Sequence, residues 1–390
     1  MASYKYLIVG AGMTADAAVR GIRELDPDGS IGLIGKDLNP PYNRPPLTKA
    51  LWKGKPLDSI WRRTQQLSVD LHLGRIVTSL DPQKKMVLDD QGAAYGYDKL
   101  LLATGGTPRK LPFGPADVIY YRTLDDYQHL REMTGHADHF GVIGGGFIGS
   151  EIAAALAMNG KKVTMLLPEA GIGASIYPPE ISAYVSSFFH QKGVQVFSEV
   201  RVQDIQKAGG LYEITTDHGD RIRVEGVIAG IGIQPNIELA QAAGLQVANG
   251  IVVDDTLHTS HPDIFAAGDV AEYYNPVLDK RLRIEHEDNA NTMGKQAGRN
   301  MAGAGEPYDH LSFFYSDLFE LGYEAVGELD SHHEMVVDWK EKFVKGVVYY
   351  LAAGRVRGVL LWNVWDTVPR ARELIAQPGP FTTADLIGRL

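Results

Sequence analysis

Apolar and polar positions along the chain predict a repeated strand–turn–helix plan. The run Leu7-Ile8-Val9 stops at Gly10-Ala11-Gly12, and residues that suit a helix follow over 14–25. That order predicts a buried strand, a tight glycine turn and a helix N-terminus. The plan recurs over 140–158: a strand at 140–143, glycines at 144, 146 and 149, then a helix over 149–158. Further strands are predicted at 31–34, within 71–88, and at 99–102, 162–167, 194–197, 211–216, 222–227 and 264–267. A long helix opens at Glu285-His286-Glu287-Asp288 and runs to about residue 301. From about residue 313 the pattern changes: strands are predicted at 336–339, 344–351 and 356–365, and short helices at 369–376 and 383–390.

Missing side chains at Gly10 and Gly12 let a diphosphate approach backbone N–H groups and the positive end of a helix dipole. The first turn reads Gly-x-Gly-x-x-Ala, with Ala15 in the third place; the second carries Gly144, Gly146 and Gly149. Each motif alone is a weak signal, but each has its strand and helix in place. Two such loops in one chain suggest two nucleotides held near each other. The acidic residue that holds adenosine ribose hydroxyls in such units falls on Asp37 in the first and Glu169 in the second. No arginine lies between Glu169 and Arg201 to meet a 2′-phosphate, which favours NADH over NADPH. Residues 39–49, NPPYNRPPLTK, hold four prolines in seven residues and form a stiff loop. It reads either as a rigid connector or as a platform presenting Arg44 and Lys49. The 99–102 strand ends in Ala103-Thr104-Gly105-Gly106 and the 264–267 strand in Gly268-Asp269. Asp269 suits a plain turn or a ribose or ribitol contact. Acidic residues around His286 suit the helix dipole without any function, and His286 itself suits a cap, a core or a catalytic role.

Composition narrows the classes. The 390 residues are 44% apolar and 22% charged, as for a globular protein of two or three domains. A formal net charge of −10 weighs against nucleic acid or an anionic membrane as the main partner. There are no cysteines, so structural disulfides, a redox dithiol, thiolate metal sites and iron–sulfur ligation by this chain are excluded. No metal site is expected from the histidines at 258, 261, 332 and 333. The first strand begins by about Lys5, which leaves no room for a targeting peptide and makes the cytoplasm the expected location. No window reads as a membrane span, and no Gly-x-Ser-x-Gly elbow marks a hydrolase.

The order of Gly10-x-Gly12, Arg44-Pro45-Pro46-Leu47-Thr48-Lys49, Ala103-Thr104-Gly105-Gly106, Gly144 to Glu151, Gly232 and Gly268-Asp269 resembles the FAD-dependent pyridine-nucleotide oxidoreductases. Within them the chain is similar to the ferredoxin-reductase branch, which includes the apoptosis-inducing factors. Tyr323-Glu324-Ala325-Val326-Gly327 and residues 359–363 look like the apoptosis-inducing-factor side. The resemblance implies an α/β fold with two Rossmann-like, glutathione-reductase-type nucleotide-binding domains and a small α+β C-terminal domain. FAD would occupy 1–112 with 246–314, NAD(P)H 113–245, and the C-terminal domain 315–390.

The resemblance also implies site residues. Gly10, Gly12, Ala15 and Asp37 would hold the ADP half of FAD, with Val77 touching adenine through its backbone. Ala103, Thr104 and Gly105 would pass close to the cofactor. Arg44 and Lys49 would lie along it, Lys49 near flavin N5, and Glu151 would reach Lys49 as an ion pair across two domains. Asp269 would bind the ribitol, and Glu285, His286 and Tyr315 would face the isoalloxazine. Gly144, Gly146, Ile148, Gly149, Glu169 and Gly232 would bind NADH (or NADPH), and Phe147 would cover the flavin until nicotinamide displaces it. Two positions depart from the branch: Lys36 stands where Glu is usual, shifting the adenosine contact to Asp37, and Tyr315 stands where Trp is usual. The implied activity is an NAD(P)H oxidoreductase that reduces FAD and passes electrons to a ferredoxin or rubredoxin, as a monomer or homodimer. A basic docking patch for that carrier would draw on Arg62, Arg63 or Lys110. The alternative is an NADH-sensing flavoprotein with slow oxidase activity, whose charge-transfer complex is the signalling state.

Overall fold

A computed structural model describes residues 2–390, which divide into two compact units. One is built from the segments up to Asn43, Leu57–Thr107 and Gln234–Phe313, the other from Arg44–Pro56, Pro108–Ile233 and Phe314–Leu390.

The first unit centres on a seven-stranded sheet. Ala2–Val9 lies between Ile31–Gly35 and Ala94–Leu102, all parallel, and Asp70–Leu73 extends the sheet beyond Ile31–Gly35. The strand Ala94–Leu102 has two neighbours on its other side. Met86–Asp89 pairs antiparallel with its first half, and Ile264–Ala266 pairs parallel with Leu100–Leu102. Leu7, Ile8 and Leu100 to Leu102 are fully buried, as the unbroken apolar runs require of strands covered on both faces.

Above this sheet the helix Met13–Leu25 packs against the helix Glu287–Met301 with almost no side chain between them. A Cβ at Gly298 would lie 2.0 Å from the Ala18 carbonyl oxygen, and one at Gly294 would lie 2.5 Å from that of Thr14. Thr14 thus faces Gly294 while Ala18 faces Gly298, so the helices run parallel and present both N-termini at one end. That end is also where Val9, Leu102 and Ala266 finish their strands, the usual ligand edge of a parallel sheet.

The second unit holds a four-stranded parallel sheet in the order Val194–Phe197, Lys162–Leu166, His139–Ile143, Gly226–Ala229, with Phe147–Met158 as the helix after its glycine turn. An antiparallel trio follows at Val202–Ala208, Leu211–Thr216 and Arg221–Val224. The C-terminal region is a five-stranded sheet, not the three strands that the pattern predicts. Phe313–Leu318 and Leu321–Gly327 are the additional pair. Their turn places Phe319, a non-glycine residue, at φ 60°, so no glycine signal marks it. Phe319 instead gains edge contacts with Phe188 and Phe189. The helices Leu124–Met133 and Pro179–Gln191 were also absent from the pattern reading. No helix among the described residues is long and apolar enough to cross a membrane.

The glycine contact yields a direct test. The carbonyl facing Gly298 is backbone and cannot rotate aside, and overpacking of this kind costs ~1–3 kcal/mol. Gly298→Ala is expected to lower the thermal unfolding midpoint by several degrees, read by circular dichroism. An unchanged midpoint would mean that the two helices can separate without loss.

Candidate functional site

In the first unit, Gly10 adopts φ 121°, and a Cβ there would meet the Ala103 carbonyl oxygen at 2.1 Å. Only glycine passes here, because both the backbone angle and the neighbouring chain exclude a side chain. Gly12 is the N-cap residue of Met13–Leu25, and no side chain caps that helix. Its first N–H groups face the strand ends, the arrangement that a diphosphate satisfies. Gly268 packs so closely on this turn that a Cβ would lie 2.2 Å from Thr14 Oγ1, which brings the Asp269 turn to the same helix end. Ala15 is fully buried.

Asp37 stands just after the strand Ile31–Gly35. Its Oδ1 accepts from the backbone N–H (2.9 Å) and side chain (3.0 Å) of Asn39, and its Oδ2 from the Tyr42 hydroxyl at 3.0 Å. A carboxylate has about four acceptor positions, so the pair leaves capacity for ribose hydroxyls. Lys36 is exposed. The N–H groups of Gly74 and Arg75 bond to the carbonyls of Asp37 and Gly35, and this sets Val77 two residues beyond that edge. Thr104 and Gly105 are riveted by Asn236: Thr104 Oγ1 donates to the Asn236 carbonyl at 2.8 Å, and the Asn236 amide returns a bond to Thr104 O.

His286 is the N-cap residue of the helix Glu287–Met301. The protein packed around its imidazole disfavours the charged form and brings its pKa from 6.5 down to about 4, outweighing Asp269 and Asp288, which act the other way. Glu285 is held by Arg283 Nη1 at 2.6 Å. Asp288 accepts from His310 Nε2 at 2.7 Å and from the Phe313 N–H at 3.1 Å, so part of this acidic cluster is structural.

Asp16, one turn into the first helix, is fully buried. Burial alone would raise its pKa, but Arg20, Thr64 and Arg62 hold it below the ordinary carboxylate value. Arg62 donates to Asp16 at 2.7 Å and to Asn43 and Asn291 at 2.8 Å each. The expected basic patch therefore loses Arg62, whose guanidinium braces the first helix from within. Lys110 lies over the Tyr120 ring at 5.8 Å.

In the second unit, Gly144 adopts φ 103°, and a Cβ there would meet the Gly230 carbonyl oxygen at 2.5 Å; Gly149 sits equally tightly on Gly144. Gly146 caps the helix Phe147–Met158 without a side chain, and open space lies where its Cβ would be. This helix starts two residues earlier than the sequence pattern predicts, at the glycine turn itself. A cleft of about 320 Å³ opens at the Gly144 end of this turn, lined by Gly144, Leu166, Pro168, Arg201 and Ile231 among others. Glu169 is exposed at the end of the neighbouring strand. The Gly232 carbonyl accepts from the Arg109 N–H at 2.9 Å. Arg201 lies 32 residues beyond Glu169 in sequence, so no local pattern could assign it to this cleft.

The proline loop belongs to the same unit. The Leu47 carbonyl accepts from Trp52 Nε1 at 2.8 Å and from the Tyr121 hydroxyl at 2.5 Å, which fixes the turn Pro45–Leu47. Arg44 is its N-cap residue. Just beyond, Lys49 Nζ lies 2.6 Å from Glu151 Oε1 and 5.3 Å from the centre of the Tyr315 ring. Glu151 is nearly inaccessible and also accepts from Thr48 Oγ1 at 2.6 Å and Ser316 Oγ at 2.7 Å. One carboxylate thus binds the loop, the glycine-turn helix and the strand Phe313–Leu318. Thr48 and Ser316 are the members that motif reading missed. Phe147 meets Phe314 edge-on at 5.4 Å, and Ile148 is exposed on the same turn.

Two uncapped glycine-turn helices, each at the carboxyl edge of a parallel sheet, together with a lysine held on a buried glutamate, define a two-nucleotide flavoprotein oxidoreductase. Residues 4–294 match the family described as Pyridine nucleotide-disulphide oxidoreductase, and the chain belongs to it. Residues 297–339 and 333–377 match the description Apoptosis-inducing factor, mitochondrion-associated, C-term. The chain is 34% identical to the ferredoxin–NAD(+) reductase component of the anthranilate 1,2-dioxygenase system of Burkholderia cepacia, over 99% of this chain and 98% of that one. It is 32% identical to apoptosis-inducing factor 1, mitochondrial, of Dictyostelium discoideum, over 95% of this chain and 78% of the relative. The reductase in the covalent putidaredoxin reductase–putidaredoxin complex superposes with a TM-score of 0.90 at 31% identity, covering 96% and 94% of the two chains. The family takes FAD and a pyridine nucleotide. Without any cysteine, this member cannot run the dithiol chemistry in the family's description.

The low pKa of His286 has a measurable consequence. Folding holds the ring neutral, so its stabilising contribution is complete above pH 6.5 and is lost as pH falls toward 4. His286→Gln is expected to flatten the fall of the unfolding midpoint across that window, read by thermal scans at stepped pH. His72, His139 and His258 shift in the same direction, so the slope should shrink without vanishing. An unaltered slope would refute the assignment.

Proposed function

We propose that this chain oxidises NADH and delivers the electrons to a small iron–sulfur carrier protein of the ferredoxin type. The observation that carries this reading is the pair of glycine-turn helix N-termini at Gly12 and Gly146, one in each unit and neither capped by a side chain. FAD, when bound, exchanges the two-electron chemistry of a pyridine nucleotide for the one-electron chemistry of such a carrier. We assign Gly10, Gly12 and Asp37 to its ADP half, Asp269 to the ribitol, and Glu285 and His286 to the ring end. A neutral His286 adds no positive charge there. Gly144, Gly146, Gly149 and Glu169 are assigned to NADH.

Lys49 is the cation we assign to the flavin edge. Its ammonium is pre-oriented by Glu151, and Glu151 in turn by Thr48 and Ser316, so little reorganisation is needed when negative charge develops nearby. Tyr315, beneath the ammonium, offers its ring face to the same cation.

The test is anaerobic stopped-flow mixing of the purified yellow protein with NADH, then with NADPH, followed by a ferredoxin or oxygen. Fast bleaching by NADH and fast return of colour with the carrier are expected. A colourless protein that takes up no FAD would overturn the reading. Lys49→Ala should retain FAD and slow bleaching by ~10-fold or more, and a rate equal to wild type would remove Lys49 from this role.

Glu169 favours NADH, whereas Arg201 places a cation on the cleft at the Gly144 turn, where a 2′-phosphate would seek one. Arg201→Ala is therefore expected to lower kcat/KM for NADPH more than for NADH, by ~3-fold or more as for a lost charge-assisted hydrogen bond. Equal losses for both nucleotides would exclude a 2′-phosphate contact.

The match of the C-terminal region to the apoptosis-inducing-factor description supports a second reading, an NADH-sensing flavoprotein. Sluggish return of colour with every carrier, together with NADH-driven pairing of two copies in sedimentation, would favour it.

A further inference from the structure

Arg283 stands out among the charged residues that no motif assigned. Its side chain is only 9% exposed. Nη1 donates to the backbone carbonyl of Asp269 at 2.9 Å and lies 2.6 Å from Glu285 Oε1. One nitrogen therefore ties the turn Gly268–Val270 to the residues that lead into the helix Glu287–Met301.

The surroundings are built to admit this side chain. Gly250 lies against it: a Cβ there would come within 3.0 Å of Arg283 Cδ, 2.6 Å of the Val270 carbonyl oxygen and 3.3 Å of Glu272 Cβ. Arg283 Nε is buried with no hydrogen-bond partner, and so is Glu272 Oε2. A guanidinium with an unmet donor is an expensive way to fill space, and an apolar residue would serve a purely packing role better. What the cation supplies, and an apolar residue cannot, is a charge-assisted bond to a carbonyl whose residue carries a carboxylate at the flavin end.

We infer that Arg283 is a positioning residue for the flavin. It sets the direction of the Asp269 turn and neutralises Glu285 beside it. Without it, the Asp269 carbonyl loses this charge-assisted bond, the turn relaxes, and Glu285 loses the cation beside it. This rests on the assignment of Asp269 and Glu285 to FAD made above. Arg281, two residues earlier, donates instead to the carbonyls of Val253 and Glu272 and serves as an internal control.

The experiment strips FAD from the protein and measures rebinding by quenching of flavin fluorescence, with the visible spectrum and midpoint potential of the reconstituted protein. Arg283→Met is expected to weaken FAD by ~10-fold or more, the usual effect of a buried polar group left without its partner. It should also lower the midpoint potential, because Glu285 is no longer neutralised. Arg283→Lys, whose shorter ammonium keeps the charge, should recover part of both, and Arg281→Met should match wild type. Wild-type affinity, spectrum and potential in Arg283→Met would overturn the inference. If Arg283→Met does not fold, Arg283→Lys carries the test, with ~3-fold weaker FAD expected and wild-type values overturning it. Asp269→Asn separates the two levels. If it weakens FAD while Arg283→Met does not, only the positioning role fails. If neither variant affects FAD, the flavin assignment of this end fails as well.

Discussion

The first unit depends on two helices that touch backbone to backbone. Between Met13–Leu25 and Glu287–Met301 the closest contacts set Gly21, Gly294 and Gly298 against the backbone of Lys295, Thr14 and Ala18, so separation is set by main-chain atoms and not by adaptable side chains. Such a contact has one solution. It makes the helices parallel, aligns both N-termini with the ends of three parallel strands, and seats the Gly268 turn on Thr14. The Gly12 turn, the Gly268–Asp269 turn and the start of Glu287–Met301 take their places from that arrangement, and the Arg62 and Thr64 bonds to buried Asp16 brace the first helix from its other side. Arg283 then adds the last constraint, on the direction of the Asp269 turn.

The second unit relies on a charge where the first relies on close packing. Glu151 is buried with Lys49, Thr48 and Ser316 around it, each from a segment distant in sequence or brought by a different element. Burying an ion pair carries a desolvation cost that its Coulomb attraction offsets only with good geometry and full hydrogen bonding. Here both carboxylate oxygens are satisfied, and the lysine keeps the aromatic face of Tyr315 as a further neighbour. The result is a cation held in one orientation, which suits a role in stabilising charge that appears only during reaction. Replacement of the usual tryptophan by Tyr315 leaves this aromatic face in place.

Much of the candidate site was legible because its chemistry is local. A glycine turn between a strand and a helix is written in about ten consecutive residues, so Gly10, Gly12, Gly144 and Gly146 could be named from pattern alone. Asp37 and Glu169 follow from their place after a strand. Arg62 was misjudged as surface, because nothing near it in sequence announces Asp16, Asn43 and Asn291. Arg201 was passed over for the same reason, and Arg283 because no motif marks a side chain that bonds a backbone carbonyl. The hairpin at Phe319 went unseen because its left-handed turn uses a phenylalanine, paid for by aromatic contacts with a helix more than 100 residues earlier.

By itself, then, the amino-acid sequence determined the nucleotide-binding class, the two glycine turns with their strands and helices, and the absence of dithiol chemistry. These are properties of short-range geometry, of spacing and of composition. Tertiary structure decided the polar partners that no motif announced: Arg62 to Asp16, Thr48 and Ser316 to Glu151, and Arg283 to Glu285 and the Asp269 carbonyl. Electrostatic partnership depends on distances of a few ångströms between groups as far as 103 and 165 residues apart in the chain, and only the packed backbone sets those distances.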